Sequence, residues 1–457
     1  MHHYFVEFSY LFASVFFIVG LKSLSHPDTA RRGMHLAEIG MLLAIIGTLL
    51  HKKIVSYEWI IVGLVVGGAI GGVLAQRVAM TALPQLTALS HGFGALAATL
   101  VGIAEYARRG AQIEKPQMIA IGIEVLLGAL TTTGSIVAAA KLQELMRGSP
   151  ITFKGQNYVN LGILAVSLGA VVFLVFSPGA AFAFYLMLAL SLVFGLMLVL
   201  PIAAADMPVV MSLLNAYAGL AATATGFAIN NNVLIIAGTL NGFSGFILSV
   251  LMCRAMNRSI TNVIFGAFGS AAAPATTGAS GEPREINIED AATQIAYARQ
   301  VIFVPGYGMA TAQAQHVVRE LASVLEERGV TVKYAIHPVA GRMPGHMNVL
   351  LAEADVPYSQ LFELEQINSD FPNTDVAVVI GANDVVNPDA RDNPGSPIAG
   401  MPILDVDLAR SVIVLKRGKG KGFAGIENPL FVKQNTGMLY GDAKGTLGKL
   451  ISAVTQA

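Results

Sequence analysis

Residues 301–310 read VIFVPGYGMA, a short apolar run followed by a turn with two glycines. The run has the length of a buried strand, and the residues after the turn favour a helix. Glycines between a strand and a helix let the backbone come close to a phosphate group, which the helix N-terminus attracts. The sequence therefore predicts a dinucleotide-binding turn. Its candidate residues are Gly306, Tyr307, Gly308, Met309 and Ala310.

The two glycines of this turn have separate expected roles. Gly306 permits a tight turn, and Gly308 lets the backbone approach a pyrophosphate. The third small position of the usual pattern holds Thr311, which departs from that pattern. An ordinary turn is the alternative, but the junction of a strand with a helix favours nucleotide binding.

The residues around the turn predict a parallel sheet. Apolar runs at 301–304, 331–336, 376–380 and 412–415 alternate with expected helical stretches at 312–328 and 359–368. Such alternation is typical of an α/β fold. We therefore expect residues 285–457 to form a Rossmann-like domain.

The choice of dinucleotide follows from a missing acid. An NAD site usually carries an acid after the second strand, but His337 and Pro338 follow that run here. Lys416 and Arg417 follow the run 412–415, and parallel strands end at one edge of the sheet. A cationic pair at that edge suits a 2′-phosphate, although a solvated basic loop is the alternative. The absent acid favours NADP, and the cofactor could lie reversed, with its adenosine near the basic pair.

Residues 1–255 have a different character. The whole chain is 54% hydrophobic and only 13% charged, which excludes an ordinary soluble protein. Nine apolar runs are long enough to cross a bilayer. They lie at 4–21, 34–50, 57–75, 84–104, 118–140, 158–177, 181–201, 208–228 and 233–253. We predict a polytopic α-helical membrane bundle, joined to the Rossmann-like domain by a flexible linker at 256–284.

Charge and cysteine content exclude several classes of function. The formal net charge is zero, so no basic field points to nucleic acid. Cys253 is the single cysteine, so no internal disulfide exists, and no cysteine and histidine cluster suggests a metal. Lysine and arginine favour the loops on the same side as the C-terminal domain, which places that domain in the cytoplasm.

Small residues crowd several of the apolar runs, as the glycines of the third run show. They are Gly63, Gly67, Gly68, Gly71 and Gly72. Small residues let helices approach closely in lipid, so we predict tight packing there, with sliding or kinking as the alternative.

Polar side chains within the apolar runs mark candidate functional positions, because such groups are costly in a bilayer. His91 is a candidate proton relay or a helix-to-helix hydrogen bond, since imidazole changes charge near neutral pH. Glu124 is a candidate partner of His91, or a group solvated at the interface. Asn215 could line a path or join two helices. Ser135 could line a wet path, and Asp206 is expected near the cytoplasmic edge.

Several motifs together are similar to the β subunit of proton-translocating nicotinamide nucleotide transhydrogenase. The resemblance spans essentially the whole chain. The matching segments are GYGMA at 306–310 with AQAQ at 312–315, AGRMPGHMN at 340–348, GANDVVNP at 381–388, Lys416 with Arg417, and NTGMLYGD at 435–442.

The resemblance implies a nine-helix proton-channel portion and a domain that holds NADP(H) in the reversed orientation. An α subunit would supply the NAD(H)-binding domain and further membrane helices, and the enzyme would be active only with it. NADH there would reduce NADP⁺ here, coupled to inward proton translocation. The expected assembly is a dimer of αβ units in a bacterial cytoplasmic (inner) membrane.

The resemblance also assigns residues to roles. His91 and Asn215 would belong to the proton path, Asp206 to the interface of the membrane domain, and Glu124 is a weaker match. Asp384 would lie near the nicotinamide. Nucleotide-binding positions would include Gly381, Ala382, Asn383 and Arg342, with Lys416 and Arg417 at the 2′-phosphate and Gly437, Tyr440, Gly441 and Asp442 ordering the cofactor.

Physical requirements lead to the same division of labour. Direct hydride transfer needs donor and acceptor carbons within about 3 to 3.5 Å of each other. This chain has one nucleotide fingerprint, so the second nucleotide must come from another polypeptide. A proton crossing 100 mV releases about 2.3 kcal/mol, which is useful only if two protein states differ in cofactor affinity. A dinucleotide-gated ion channel or a transporter without hydride chemistry is the alternative. The sequence lacks a potassium filter motif and a clear inverted repeat.

Overall fold

The computed structural model describes residues 2–50, 57–148, 150–257, 259–260, 281–396, 398–418, 420, 422 and 424–457. Residues 261–280, most of the predicted linker, lie outside the described residues. The chain divides into two compact units. One comprises Met1–Ile202 with Val210–Ser249, and the other Ala203–Val209 with Val250–Ala457.

Within the described ranges, nine helices are long and apolar enough to cross a membrane. They are α1 (His2–Ser23), α2 (Pro27–Leu49), α3 (Glu58–Arg77), α4 (Leu83–Arg109), α5 (Lys115–Leu142), α6 (Gln156–Phe176), α7 (Ala181–Val199), α8 (Met207–Ile229) and α9 (Asn232–Ala255). Each coincides with one predicted apolar run, so the prediction of a polytopic helical bundle is confirmed.

Proline marks the start of several of these helices. Pro27, Pro84 and Pro116 occupy the first or second positions of α2, α4 and α5. The fixed φ of proline suits a helix, and the amide that it lacks has no partner in a first turn. These prolines therefore set helix boundaries without costing a hydrogen bond.

Helix α5 is the most buried helix of the membrane bundle, and it packs against α4, α6 and α7. Glycines allow these approaches. A Cβ on Gly128 would lie 3.0 Å from the carbonyl oxygen of Ala95 in α4, and a Cβ on Gly195 of α7 would overlap the carbonyl oxygen of Leu130. Such contacts are the helix packing expected where lipid gives no hydrophobic drive.

Helices α8 and α9 also approach each other closely. A Cβ on Gly238 would lie 2.6 Å from the backbone nitrogen of Thr223, and one on Gly219 would overlap the backbone of Gly242. These backbones touch, so neither position has room for a methyl group.

The predicted tight packing of α3 is wrong for the part of this chain that the structure describes. No residue of α3 is buried. A Cβ on any of its five glycines would meet nothing within 4 Å. Composition identified small residues but could not show which of them meet a neighbour.

The second unit contains a six-stranded sheet. Its strands are β1 (Gln300–Pro305), β2 (Thr331–Ile336), β3 (Leu361–Glu363), β4 (Val376–Ile380), β5 (Ser411–Lys416) and β6 (Thr436–Tyr440). The order is β3-β2-β1-β4-β5-β6, and all neighbours are parallel. The order reverses between β1 and β4, where ligands bind in such folds. The predicted Rossmann-like fold is confirmed.

The helices of this unit are α10 (Ile288–Ala296), α11 (Tyr307–Thr311), α12 (Gln315–Glu327), α13 (His346–Glu353), α14 (Leu364–Ile367), α15 (Asp389–Asp392) and α16 (Ala443–Gln456). Both faces of the sheet are covered. In β1, Val301 and Phe303 belong to one apolar core, while Ile302 and Val304 belong to the other. This explains why the strand reads as a continuous apolar run.

Two expected helical stretches differ from the structure. Residues 359–368 are not one helix, because β3 occupies Leu361–Glu363 and α14 has only four residues. The stretch 312–328 begins as a helix only at Gln315, after a break at Gln313, whose φ is +49°. A left-handed residue cannot continue an α-helix, so a short α11 and a longer α12 form instead.

The contact of α8 with α9 leads to a test of glycine packing. We expect Gly238→Ala to lower the thermal midpoint by about 3 °C or more, since the methyl has no room. Gly68→Ala in α3 is the matched control and should leave the midpoint unchanged. Cys253 is the single cysteine and is buried, so its labelling by a thiol-reactive dye on heating reports unfolding. Equal midpoints for the two variants would contradict the close approach.

Candidate functional site

The predicted nucleotide-binding segments meet at the carboxyl edge of the sheet. Because all six strands are parallel, the residues that follow β1, β2, β4, β5 and β6 lie at one edge. Four of the candidate segments begin there: 306–310, 381–384, 416–417 and 440–442. The segment 340–348 follows β2 at the same edge.

The turns after β1 and β4 are in backbone contact. Gly306 N–H donates to Ile380 O and Gly308 N–H donates to Gly381 O, each at 2.9 Å. A Cβ on Gly306 would lie 2.5 Å from the backbone of Ala382, and one on Gly308 would lie 2.6 Å from Cα of Gly381. The three glycines therefore bring two loops together at the switch point of the sheet.

This contact explains why position 306 requires a glycine. Gly306 has φ −132° and ψ −174°, an extended conformation that any residue adopts. The expectation that it is needed for the conformation of a tight turn is therefore wrong, and close contact is the reason. Gly381, by contrast, has φ +66°, which favours glycine in its own right.

Arg342 lies over the turn after β1. Its guanidinium carbon is 4.3 Å from the centre of the Tyr307 ring, and the residue is buried. The backbone N–H of Arg342 donates to Nδ1 of His346 at 3.1 Å. The cation and the ring stabilise each other, so the loop after β2 is fixed against the loop after β1.

His337 occupies the position where an NAD site usually has an acid. The residue is buried. The carbonyl of Pro402 can only accept, so Nε2–H donates to it at 2.8 Å, while Nδ1 accepts from Val339 N–H at 3.2 Å. Burial lowers the pKa of His337 to about 4. A neutral imidazole whose two nitrogens are both engaged cannot replace the missing carboxylate.

Lys416 is the half-buried member of the basic pair. Its Nζ lies 4.5 Å from the centre of the Phe431 ring. Burial lowers the pKa of Lys416, and the Asp384 carboxylate acts in the opposite direction. Arg417 is exposed next to it. Lys416 is thus held against the protein, whereas Arg417 is exposed and can reach a ligand.

Asp384 lies within electrostatic reach of Lys416. Its Oδ2 accepts from Ala424 N–H at 2.9 Å. Asn428 donates to the carbonyl and side-chain oxygens of Asn383 at 3.0 and 3.2 Å. The chain after β5 therefore packs over the turn after β4. The placement of Asp384 near a nicotinamide stays a prediction.

The candidates in and after β6 fall into two groups. Tyr440 ends the strand, Gly441 has φ +155°, and Asp442 caps α16 by accepting from Gly445 N–H at 3.0 Å. Gly437 lies within β6 and is buried, away from the carboxyl edge. The structure therefore groups residues 440–442 with the other candidates, but not Gly437.

His91 lies on α4 where that helix crosses α5. A Cβ on the next residue, Gly92, would lie 3.1 Å from Cβ of Ser135, so the helices are in contact there. His91 Nδ1 and Ser135 Oγ are both buried, and neither has a hydrogen-bond partner in the part of the chain that the structure describes. Buried polar atoms normally have a hydrogen-bond partner, so two such atoms without one at this helix crossing are unusual.

Glu124 of α5 is fully buried in this chain, so the alternative of solvation at the interface is wrong. Its Oε1 accepts from Thr225 Oγ1 of α8 at 2.8 Å. A Cβ on Gly102 of α4 would lie 3.2 Å from Glu124 Cδ. Gly102 is eleven residues beyond His91, roughly 16 Å along α4, so Glu124 does not pair with His91.

Asn215 joins α8 to α9. Its Oδ1 accepts from Asn241 Nδ2 at 3.1 Å. The structure thus shows the helix-joining contact that was one of the two expectations for Asn215. Asp206 is buried in a short 3₁₀ turn, Ala204–Asp206, directly before α8.

Comparison with known proteins decides the family. Residues 6–453 match the family profile described as NAD(P) transhydrogenase beta subunit. This chain belongs to that family. Two similar relatives, both named NAD(P) transhydrogenase subunit beta and both from Rhodospirillum rubrum, are 48% identical over 464 residues. The alignment covers 99% of this chain and 100% of each relative.

Membership in the transhydrogenase family confirms the resemblance seen in the sequence. The chain is a subunit of a transhydrogenase, and the nine apolar helices among its described residues make it a multi-pass membrane protein. The family uses nicotinamide nucleotides, and the name of a beta subunit implies an alpha partner.

Sequence reasoning missed Lys141, which has an unusual place in this transhydrogenase subunit. It lies in the last turn of α5 and is buried. Its Nζ donates to the carbonyl oxygens of Val199, Leu200 and Ile202 at 3.3, 2.6 and 2.7 Å. A cation at the C-terminus of α7 satisfies carbonyls that lack helical partners. Its position at the end of an apolar run resembled that of a loop residue.

His346 and Asn241 were also missed. Burial first, and the Arg342 guanidinium second, lower the pKa of His346 to about 4. In the sequence, the glycines at both ends of the segment 341–345 were the signal of a fixed loop there. Asn241 gave no signal beyond one amide in an apolar helix.

The two buried histidines lead to a prediction of pH dependence. The folded pKa values, about 4, lie below the ordinary 6.5. Between these values the unfolded chain binds protons that the folded one does not. Each histidine therefore contributes on the order of 1–3 kcal/mol above pH 6.5, and that contribution is lost as the pH falls to 4.

Urea unfolding of the full chain in detergent, followed by pulse proteolysis of the C-terminal unit, measures this effect. We expect a lower midpoint at pH 5 than at pH 7. His337→Asn, which cannot be protonated, should reduce the difference. His316→Asn, at an exposed histidine, is the control and should retain it. A pH difference that is unchanged in His337→Asn would be the contrary result.

Proposed function

We propose that this chain binds NADP(H) at the carboxyl edge of its sheet and, with an alpha subunit that holds NAD(H), transfers hydride from NADH to NADP⁺ coupled to inward proton translocation. One observation carries the nucleotide assignment. Three glycines bring two loops into contact at the switch point, beside Lys416.

The residues present fit a 2′-phosphorylated dinucleotide. Gly306 and Gly308 let the turn after β1 lie against the turn after β4 at the switch point, where a pyrophosphate would approach the backbone. Lys416 and Arg417 provide two cations at the same edge for the 2′-phosphate. When bound, the cofactor supplies the nicotinamide that accepts or donates hydride.

The missing acid after β2 supports NADP over NAD on this chain. His337 is buried, neutral and engaged by Pro402 and Val339, so it offers no carboxylate to a ribose. Tyr307 and Arg342 then contribute the wall of the site on the β2 side. Residues 440–442 and Asp384 complete it near β5 and β6.

We propose that His91 is part of the proton path. Its buried Nδ1 and the nearby Ser135 Oγ have no partner among the residues described, as expected for groups that exchange protons with water. Glu124 with Thr225, and Asn215 with Asn241, are further polar pairs across the helices. Asp206 stands at the start of α8.

Coupling requires that the protonation state of the membrane helices change the affinity for NADP(H). A ligand shifts an equilibrium only if it binds two states differently, and the reverse effect has the same size. Protonation at His91 is proposed to bias two states of the NADP(H) domain. Membership in the transhydrogenase family supports this function over a gated channel or a transporter without hydride chemistry.

The proposed assembly follows from the same reasoning. The hydride donor must approach within about 3 to 3.5 Å of its acceptor, so the alpha subunit must place NAD(H) against this edge. We propose a dimer of αβ units in the bacterial cytoplasmic membrane, with the C-terminal unit in the cytoplasm.

The phosphate assignment is tested with Lys416→Ala/Arg417→Ala. We expect the KM for NADPH to rise by about tenfold or more, because two charge-assisted contacts are lost, while the KM for NADH stays unchanged. Arg410→Ala/Lys449→Ala removes the same charge at exposed positions and is the control. Steady-state assays of the αβ enzyme measure both constants. An equal rise for both nucleotides would refute the assignment.

The proton path is tested with His91→Ala. In proteoliposomes of the αβ enzyme, we expect proton pumping to be lost while NADPH still binds, because the change lies in the membrane helices. Ser90→Ala is the matched control, since the Ser90 hydroxyl donates to Thr87 O within its own helix. Pumping at the level of the parent in His91→Ala would remove this residue from the path.

A further inference from the structure

Residues 284–286 run along the side of β6 that does not pair with β5. Ile286 N–H donates to Met438 O at 3.0 Å, and Met438 N–H donates to Arg284 O at 2.8 Å. Glu285 thereby forms a one-residue parallel bridge with Met438. Since β6 pairs with β5 on its other side, residues 284–286 extend the sheet past its last strand.

Ile286 fits against Gly437 of β6. A Cβ on Gly437 would lie 2.8 Å from both Cδ1 and Cγ2 of Ile286. Real side-chain carbons do not approach so closely. The missing side chain at Gly437 is therefore what lets residues 284–286 lie against the strand.

The same segment also holds the helix that follows β6. Asn287 caps α10, since its side-chain oxygen accepts from Asp290 N–H at 2.7 Å. Helix α10 packs against α16, which begins directly after Asp442. Residues 284–287 and α10 therefore contact the elements on both sides of the turn 440–442.

The turn is connected to the basic pair through the main chain. Gly441 N–H donates to Lys416 O at 3.0 Å. The bridge at Met438 lies only two residues before Tyr440. A displacement of β6 at its bridge therefore moves Gly441 and alters the hydrogen bond that Gly441 donates to Lys416 O.

We propose that residues 284–286 are positioning residues for the turn 440–442, so that their place on β6 sets the affinity for NADP(H). This rests on the proposed NADP(H) site. One bridge with two hydrogen bonds is a weaker attachment than the five paired residues of β5 and β6, so the segment can shift while the sheet stays intact. The chain before residue 284 continues from α9, so the segment gives the membrane helices a covalent route to the nucleotide.

The experiment uses the αβ enzyme in proteoliposomes and measures the KM for NADPH and for NADH. Gly437→Ala places a methyl against Ile286, and we expect the KM for NADPH to rise about tenfold with the KM for NADH unchanged. In that background, Ile286→Val removes one of the two contact atoms and should restore part of the affinity. Ile286→Ala removes both and should restore most of it. Val324→Ala, a partly buried residue of α12 on the same core, is the control.

The single variant Ile286→Ala provides a second test of the positioning role. If Gly437→Ala does not fold, Ile286→Ala alone should change the KM for NADPH about threefold and reduce its response to an imposed proton gradient. A KM for NADPH within about twofold of the parent in each folded variant would overturn the proposal. Reduced kcat with both KM values unchanged would also overturn it, because that indicates lost enzyme and not altered positioning.

Lys416→Ala, assayed in parallel, separates this proposal from the proposed function. If Lys416→Ala raises the KM for NADPH but the variants at 437 and 286 do not, only the positioning role fails. If Lys416→Ala leaves the KM for NADPH unchanged, the nucleotide site itself is wrong and the positioning role fails with it.

Discussion

The contact between two backbones at the switch point of the sheet is the constraint on which the candidate site depends. Parallel strands bring the turns after β1 and β4 to one edge, but side chains would normally keep those turns apart. Gly306, Gly308 and Gly381 remove that obstacle, and two hydrogen bonds join the turns. The two turns therefore meet at the switch point of the sheet, where dinucleotides bind in such folds.

The membrane helices rely on the same device for a different purpose. Where Gly238 meets Thr223, and where Gly195 meets Leu130, the missing side chain lets helices touch. Close approach then places polar side chains across from each other, as in the contact of Glu124 with Thr225. Tight packing and buried polar side chains therefore occur together in α5 and α8.

Much of this architecture could be predicted from the sequence, for physical reasons. Each span is a long apolar run, because the bilayer demands it, and each buried strand is a short one. The edge location of Lys416 and Arg417 followed from the direction of parallel strands. The three-residue β3 was missed because so short a strand leaves no pattern. The break at Gln313 depends on one backbone angle.

Other features depend on tertiary contacts that no local pattern records. The stacking of Arg342 on Tyr307 and the bond from His337 to Pro402 join segments far apart in the chain. The glycines of α3 and those of α9 look alike as sequence, yet among the described residues only those of α9 meet a neighbour. For the same reason, the separation of Glu124 from His91 became visible only once the crossing of α4 with α5 was known.

Lys141 has a consequence for the proton translocation that we propose for this chain. The joint between α5 and α7 is made by an ammonium group and three main-chain carbonyls. Peptide oxygens stay unprotonated across the physiological range, so the acceptors of this joint do not bind protons. If protons cross the bundle as proposed, the three oxygens that hold α5 to α7 keep the same charge throughout.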